Sequence, residues 1–364
     1  MMGELFVWFI ILFAFIRLVV SFVNALSPLH LPNDEPYTDK LVSVLIPARN
    51  EAHNLPVLLE SIVVQEYPNI EILVYDDHSE DNTASIVKLY AKRDSRVSLL
   101  SAKELPGGWL GKNFACHNLA NHAKGEYYLF LDADVRVSSK AVKNSLTYMK
   151  KYKLDLLSVF PYQKMVTKGE WLTVPLMNWI LLSLLPLVLV RKSKRPSLSA
   201  ANGQFMFFRA SKYDKYQWHK QVKGSLVEDI VIIRKMKSMG LKAATLLGNS
   251  EVRCRMYTSF KDGLNGFAKN VIEFFGGNSV AAILFTVFVW SGILIPFLGS
   301  LLQLIIYVMI ILLMRIFISL SSKQSVQKNL FFHVPQMIIF IILMQKALRV
   351  KRTGRYTWKG RKTG

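Results

Sequence analysis

Asp132 and Asp134 stand two residues apart, immediately after the apolar run Tyr127-Tyr128-Leu129-Phe130-Leu131. A short apolar run that ends this abruptly reads as a buried strand. In open α/β sheets, ligands bind beyond the carboxyl ends of the strands. Two carboxylates at that place form an oxygen-only donor set with positions left for phosphate and water, which suits Mg²⁺ or Mn²⁺. The same spacing also fits an ordinary Asp-rich turn, so the other charged clusters must decide.

Three such clusters recur at comparable places. Pro47-Ala48-Arg49-Asn50-Glu51 follows the apolar segment 41–46, and Asp76-Asp77 follows 70–75. Glu228-Asp229 opens an apolar-periodic helix that continues through Ile233 and Met236. Capping or solvent exposure explains each alone, but acids at successive strand ends share one edge of a parallel sheet. The run Gly107-Gly108-Trp109-Leu110-Gly111-Lys112-Asn113 is not a phosphate-binding P-loop. Too few residues separate Gly107 from Gly111, and Asn113 replaces the hydroxyl that would hold magnesium. His117, His122 and His219 lack metal-ligand spacing, and Cys116 and Cys254 form neither a disulfide framework nor a zinc pattern.

Positioning these groups calls for strands at 41–46, 70–75, 97–100 and 127–131, the first stopped by Pro47. Between them lie helical patterns with Leu55, Leu58, Leu59 and Ile62 on one face, then Ile86 and Leu89 behind the caps Ser79, Asp81 and Asn82. Such alternation predicts crossover units and a mostly parallel α/β sheet.

Of the 364 residues, 51% are hydrophobic, and the excess sits at the two ends and in one internal run. Residues 5–26 predict an uncleaved transmembrane anchor, lacking a basic leader and a small-residue cleavage site. Arg17 interrupts it and must snorkel or face protein. Residues 280–320 predict two further transmembrane helices, parted at Gly299-Ser300. The run 330–345, shorter and holding His333, Pro335 and Gln336, is expected to lie in the interface. Residues 172–190, broken by Pro175, Asn178 and Pro186, read as interfacial or re-entrant, with a buried core helix as the rival.

The tail 346–364 carries eight Lys/Arg and no acid, which places it in the cytoplasm. The expectation is therefore a multi-pass protein of the cell membrane with a cytoplasmic catalytic domain at 40–275. The net charge of +21 then reflects anionic membrane lipids; no nucleic acid is expected, because no nucleic-acid motif accompanies the charge.

Taken in order, Pro47-Ala48-Arg49-Asn50-Glu51, Tyr75-Asp76-Asp77-His78-Ser79, Asp132-Ala133-Asp134 and Glu228-Asp229 resemble the family 2 glycosyltransferases of the inverting, nucleotide-sugar-using type. The resemblance covers residues 40–275. Gly108-Trp109-Leu110-Gly111-Lys112-Asn113, Arg255-Met256-Tyr257 and Trp358-Lys359-Gly360-Arg361 narrow it to the lipid-modifying branch, with carotenoid-acid glycosyltransferases and hopanoid-associated or ceramide-type relatives.

The resemblance implies a GT-A-like fold, the nucleotide-diphospho-sugar transferase fold, with N- and C-terminal transmembrane helices. It implies a hexose, glucose foremost, moved with inversion from a UDP-sugar to a lipid acceptor in the bilayer. A carotenoid acid is the first acceptor; hopanoid, sphingolipid and diacylglycerol are the alternatives. Pro47 and Glu51 would border the nucleotide, Asp77 the base or ribose, and Lys112 and Arg255 the donor phosphates. Lys269 shares that last role, and Asn202-Gly203-Gln204 would line the acceptor. Asp132 and Asp134 would hold Mg²⁺ or Mn²⁺ on the diphosphate. Asp229 would be the general base, with Glu228 orienting or replacing it. A carboxylic acid acceptor, already ionised, would leave Asp229 mainly a positioning task. The Gln-x-x-Arg-Trp motif of processive polysaccharide synthases is missing, which argues against a polymerase. A non-catalytic membrane scaffold is the alternative from another class.

Overall fold

Seven strands make the central sheet, in the order β3-β2-β1-β4-β8-β6-β9. They are β1 (Val42–Ala48), β2 (Ile70–Asp76), β3 (Val97–Ser101), β4 (Tyr127–Leu131), β6 (Leu156–Phe160), β8 (Phe205–Arg209) and β9 (Ala243–Leu247). Every neighbouring pair is parallel except those made by β8, which runs antiparallel to both β4 and β6. A small second sheet joins β5 (Val135–Val137), β10 (Val252–Cys254) and β7 (Tyr162–Gln163). The computed structural model describes residues 2–33, 39–353, 356–358 and 361–363.

The fold is thus the mainly parallel α/β sheet that the alternation predicts. Consecutive residues of β1 are buried on both faces, as expected where helices cover a parallel sheet on each side. Leu55, Leu58, Leu59 and Ile62 form the buried stripe of the helix Leu55–Val63. The helix Thr83–Arg93 differs in detail: it buries Val87 and Tyr90 while Leu89 stays exposed. There the Tyr90 hydroxyl bonds Glu60 and the Pro56 carbonyl, fixing the face one residue on. Pro47 does not end β1, which runs on to Ala48. Pairing with β4 stops at Leu45, so Pro47 keeps only its β2 neighbour, Tyr75, and its missing donor is tolerated there.

Two compact units divide the chain. The α/β unit is Leu29–Lys164 with Leu189–Met256 and Thr357–Gly364; the helical unit is Met1–Pro28 with Met165–Val188 and Tyr257–Tyr356. The expected boundary at residue 275 therefore moves. The helix Phe260–Asn270 and the 3₁₀ turn Val271–Phe275 group with the helices, not with the sheet.

Among the described residues, four helical stretches are long and apolar enough to cross a membrane: Gly3–Leu26, Ser279–Leu298, Leu301–Ser321 and His333–Thr353. The last differs from the short run read in the sequence, because the helix continues through the basic residues Lys346, Arg349, Lys351 and Arg352. Residues 172–190 form no single span. They break into the helices Lys168–Thr173, Pro175–Leu184 and Val188–Lys192, with Leu185-Pro186 between the last two. Trp179 and Ile180 are fully buried, so the helix Pro175–Leu184 packs as a core element of the helical unit, and from Leu189 the chain belongs to the α/β unit. Residues 354, 355, 359, 360 and 364, which include part of the basic tail and of Trp358-Lys359-Gly360-Arg361, lie outside the described residues.

Candidate active site

The loops after β1 and β2 are stitched to each other, side chain to backbone. The amides of Asn50, Glu51 and Ala52 donate to Ser79 Oγ, Thr83 Oγ1 and Asp81 Oδ2 at 2.9, 2.8 and 3.0 Å. Asn50 returns the favour, its Oδ1 accepting from the Glu80 amide at 2.8 Å. Asn50 and His78 take left-handed backbone conformations, φ 53° and 52°, which Asn and His enter more readily than branched residues do. Arg49 closes the seam, donating to the Asp77 carbonyl at 2.6 Å with the Asp77 carboxylate 4.0 Å away. Asp77 is consequently buried against Arg49, while Asp76 remains partly exposed.

Asp132 and Asp134 follow β4, and strand register selects their neighbours. Because β8 is antiparallel to β4 with Leu131 opposite Phe205, Gln204 falls opposite Asp132, and the Asp132 amide donates to the Gln204 carbonyl at 3.1 Å. The Gln204 side-chain amide donates to both oxygens of Asp134 at 3.1 Å and lies 3.0 Å from Cys254 Sγ. In the small sheet, Val135 pairs antiparallel with Cys254, the last residue of β10, so Arg255 leaves the sheet at the end where Asp134 enters it. Burial, the Asp132 charge and, at longer reach, Glu51 push the Asp134 carboxyl up to about 6, against the Gln204 and Cys254 hydrogen bonds. This edge is crowded with negative charge.

Lys112 answers part of that charge. It lies in the first turn of the helix Gly111–His122, with its ammonium 2.9 Å from Asp132 and 3.1 Å from Glu228. Burial works against the ammonium, yet Asp132 and Glu228 hold its pKa well above the usual lysine value. The resemblance puts Lys112 at the donor phosphates; the structure makes it a clamped cation between two carboxylates. Asn113 explains the clamp, since its amide donates to the carbonyls of Val222, Lys223 and Ser225 at 2.9–3.1 Å. That contact fixes the loop leading into Glu228. Trp109 stacks on His117 with ring centres 5.2 Å apart.

Asp229 begins the helix Glu228–Ser238 and accepts from the Gly203 amide at 2.9 Å and the Ile230 amide at 2.7 Å. Burial and the neighbouring Glu228 carboxylate push its carboxyl up to about 7, while those amides and Lys112 oppose the shift. A carboxyl poised there can take up a proton near neutral pH. The structure thus gathers Asp132, Asp134, Lys112, Glu228 and Asp229 around Gly203-Gln204, whereas Pro47 and Asp77 belong to the neighbouring strand ends. Gln204 is the residue that sequence reading undervalued. Its signal was a polar triplet immediately before the apolar Phe205-Met206-Phe207-Phe208. His219 is a core residue, hydrogen-bonded to the Tyr213 hydroxyl at 2.6 Å amid aromatic rings.

Among the described residues, no group of three or more His, Cys, Asp or Glu side chains is arranged to hold a metal ion unaided. Asp132 and Asp134 still fit a hard divalent cation. They are oxygen donors on one edge, and burial first, then the Asp132 charge, raises the Asp134 carboxyl, which a cation would help to ionise.

Gly203 offers a clean probe of this geometry. A Cβ there would come 2.8 Å from Glu228 Oε1 and 3.1 Å from Lys112 Nζ. Both are ends of flexible side chains, so they can retreat at little cost to folding but not without disturbing the clamp. Gly203→Ala should lower turnover by about tenfold or more, as small misplacements of reacting groups do. Its Tm should stay within a few degrees of wild type. Full activity in a kinetic assay would show that the clamp is not needed.

Residues 43–217 match the family described as glycosyl transferase family 2. A 4,4′-diaponeurosporenoate glycosyltransferase of Staphylococcus haemolyticus (strain JCSC1435) is 28% identical over 237 residues, covering 64% of this chain and 62% of the relative. The protein of the same name from Staphylococcus aureus (strain USA300) is 34% identical over 128 residues, 35% of this chain and 33% of the relative. The chain therefore spans less than two thirds of the curated relatives it matches. Among solved structures, the mannosyltransferase PcManGT from Pyrobaculum calidifontis, in complex with GDP-Man and Mn²⁺, is similar in fold. Its TM-score is 0.54 at 15% identity, over 95% of this chain and all of that one.

Proposed function

We propose, from the match of residues 43–217 to glycosyl transferase family 2, that the protein is an inverting glycosyltransferase moving a hexose from a UDP-sugar to a lipid acceptor in the membrane. The convergence of Lys112, Asp132, Asp134, Glu228 and Asp229 at one strand edge carries this reading. A carotenoid acid is the first acceptor to test, because that substrate is in the names of the relatives. Four helices able to cross a membrane supply the frame for an acceptor too apolar to leave the bilayer.

Departure of a nucleoside diphosphate concentrates negative charge on its oxygens. Asp132 and Asp134 would hold Mg²⁺ or Mn²⁺, which supplies countercharge to those oxygens when bound. Lys112 keeps a positive charge between Asp132 and Glu228, and Arg255 stands at the same edge for the phosphates. Pro47, Glu51 and Asp77 shape the adjoining nucleotide side. On the acceptor side, Asp229 takes the proton from an attacking hydroxyl and passes no proton when the nucleophile is a carboxylate. Gly203 and Ile230 amides hold its oxygens in place.

Membranes from a host expressing the chain, given labelled UDP-glucose and a carotenoid acid, should yield a lipid product heavier by one hexosyl residue in mass spectrometry. No lipid-linked sugar from carotenoid acids, hopanoids, ceramides or diacylglycerol would overturn the proposal.

Orientation follows from charge. We place the α/β unit in the cytoplasm, with the basic end of the helix His333–Thr353 on the same side. Three crossings after residue 256 would put that end outside, so His333–Thr353, the least apolar of the four helices, lies along the interface. Cysteine introduced at Lys351 should react with an impermeant thiol reagent only in inverted vesicles. Labelling of right-side-out cells alone would refute this topology.

A further inference from the structure

The helical unit contains a cavity of about 250 Å³ lined by Arg17, Trp179, Trp290, Tyr307 and His333, with apolar side chains such as Phe13 and Phe288 around them. Ile293 and Val334, 61% and 67% exposed, form part of its lining, so it communicates with the surface of the helices. We propose that this cavity binds the oxyanion head, carboxylate or phosphate, of a membrane amphiphile, between Arg17 and His333, with Arg315 behind His333 as its hydrogen-bonded charge. The cavity shares no residue with the sugar-transfer groups, and its occupancy does not depend on that reaction.

Charge balance is the first ground. Arg17 and Arg315 are 3% and 1% exposed, yet neither meets a carboxylate among the described residues; the acids of the helical unit, Glu4, Glu170, Asp262 and Glu273, lie outside its apolar runs. Two guanidiniums at the depth of membrane spans need a counter-anion or a large compensation. Rings give some: the Arg17 guanidinium carbon is 4.5 Å from the Trp179 centroid and 4.8 Å from that of Phe285, and Arg315 is 5.3 Å from Trp179. Ring faces attract the cations but accept no hydrogen bonds along the guanidinium edges.

Hydrogen bonding is the second ground. Arg17 spends Nε and one Nη on a single oxygen, Ser183 Oγ, at 3.3 and 2.9 Å. Arg315 Nε donates to His333 Nδ1 at 2.8 Å, which leaves the imidazole proton on Nε2 as one more donor. Arg315 Nη2 and the indole nitrogens of Trp179 and Trp290 have no partner among the described residues. Donors in such excess call for an acceptor-rich ligand, and planar guanidiniums match carboxylate and phosphate oxygens. The first turn of the helix His333–Thr353 also lines the cavity, adding a positive helix end. The apolar lining suits the chain that carries the head.

Full-length protein in phosphatidylcholine nanodiscs, without sugar donor, provides the test. A brominated fatty acid should quench tryptophan fluorescence saturably, and oleate or phosphatidylglycerol should compete; which of the two competes identifies the head as carboxylate or phosphodiester. Oleyl alcohol and inorganic phosphate should not. Arg17→Gln and Arg315→Gln should each weaken the interaction by about tenfold or more, as loss of a charged hydrogen-bonding partner does. If either fails to fold, Trp290→Phe, which keeps the packing, should weaken it by a smaller factor. Equal competition by oleyl alcohol, competition by inorganic phosphate alone, or no saturable quenching overturns the proposal.

Discussion

Asp134→Asn should abolish nearly all sugar transfer, by about 10²–10³-fold or more, the scale seen when one group stabilising transition-state charge is removed, while leaving the fold intact. The substitution preserves shape, and the amide can still meet Gln204. Its effect on stability has a definite sign. The Asp134 carboxyl rises from 3.8 to about 6 on folding, through burial and the charges of Asp132 and Glu51. A carboxyl harder to ionise in the folded than in the unfolded state destabilises the fold once ionised. That cost builds between about pH 4 and pH 6 and persists above. At pH 7 the asparagine variant should therefore match or exceed the wild-type Tm. Thermal denaturation alongside the transfer assay separates the possibilities: a lower Tm with lost activity would mean a structural role, and retained activity would remove Asp134 from the reaction.

That prediction depends on the part of the site most legible in sequence. Asp132-Ala133-Asp134 was visible because a buried strand must end where carboxylates begin, and Glu228-Asp229 because acids favour a helix start. Both are local patterns. Gln204 was not comparably visible, since its meeting with Asp134 depends on β8 entering antiparallel between β4 and β6. Nothing local to residues 202–209 announces that reversal in a sheet otherwise built of parallel pairs. The Lys112 clamp was hidden for the same reason. It requires Asn113 to catch carbonyls at residues 222–225, more than a hundred positions on. Arg17 was a fork that sequence could state but not resolve. The deciding partner, Ser183, lies 166 residues away, in a stretch whose length alone suggested a span. Its prolines, however, divide it into pieces too short to cross.

The strand-end arrangement also divides labour between the two acidic pairs. Asp132 is tied to Lys112, and Asp134 to Gln204, so both are held by groups that supply positive charge or donors. Asp229 is held by two backbone amides, and burial with the neighbouring Glu228 carboxylate raises it to about 7, further than Asp134 at about 6. One pair is suited to gather cations, the other to exchange a proton.

Asp229→Asn should accordingly depend on the acceptor. With a hydroxyl-bearing lipid, loss of a general base should cost about 10²–10⁴-fold. With a carotenoid acid, whose carboxylate is already ionised at neutral pH, the loss should be about tenfold or less. The pH profiles should part in the same way. Because burial and Glu228 push Asp229 up to about 7, it is protonated and useless as a base below that pH. Wild-type transfer to a hydroxyl should rise tenfold per pH unit below about 7 and level off above it. Transfer to a carboxylate should already be level between about pH 7 and 8, with only the Asp134 limb near pH 6 below it. In the Asn variant, the limb near pH 7 with the hydroxyl acceptor should vanish, leaving the limb near pH 6 that Asp134 gives with either acceptor. Equal losses with both acceptors, and an unchanged pH limb, would make Asp229 a positioning residue held by Gly203. They would also pass the search for a base to Glu228, whose carboxylate already touches Lys112.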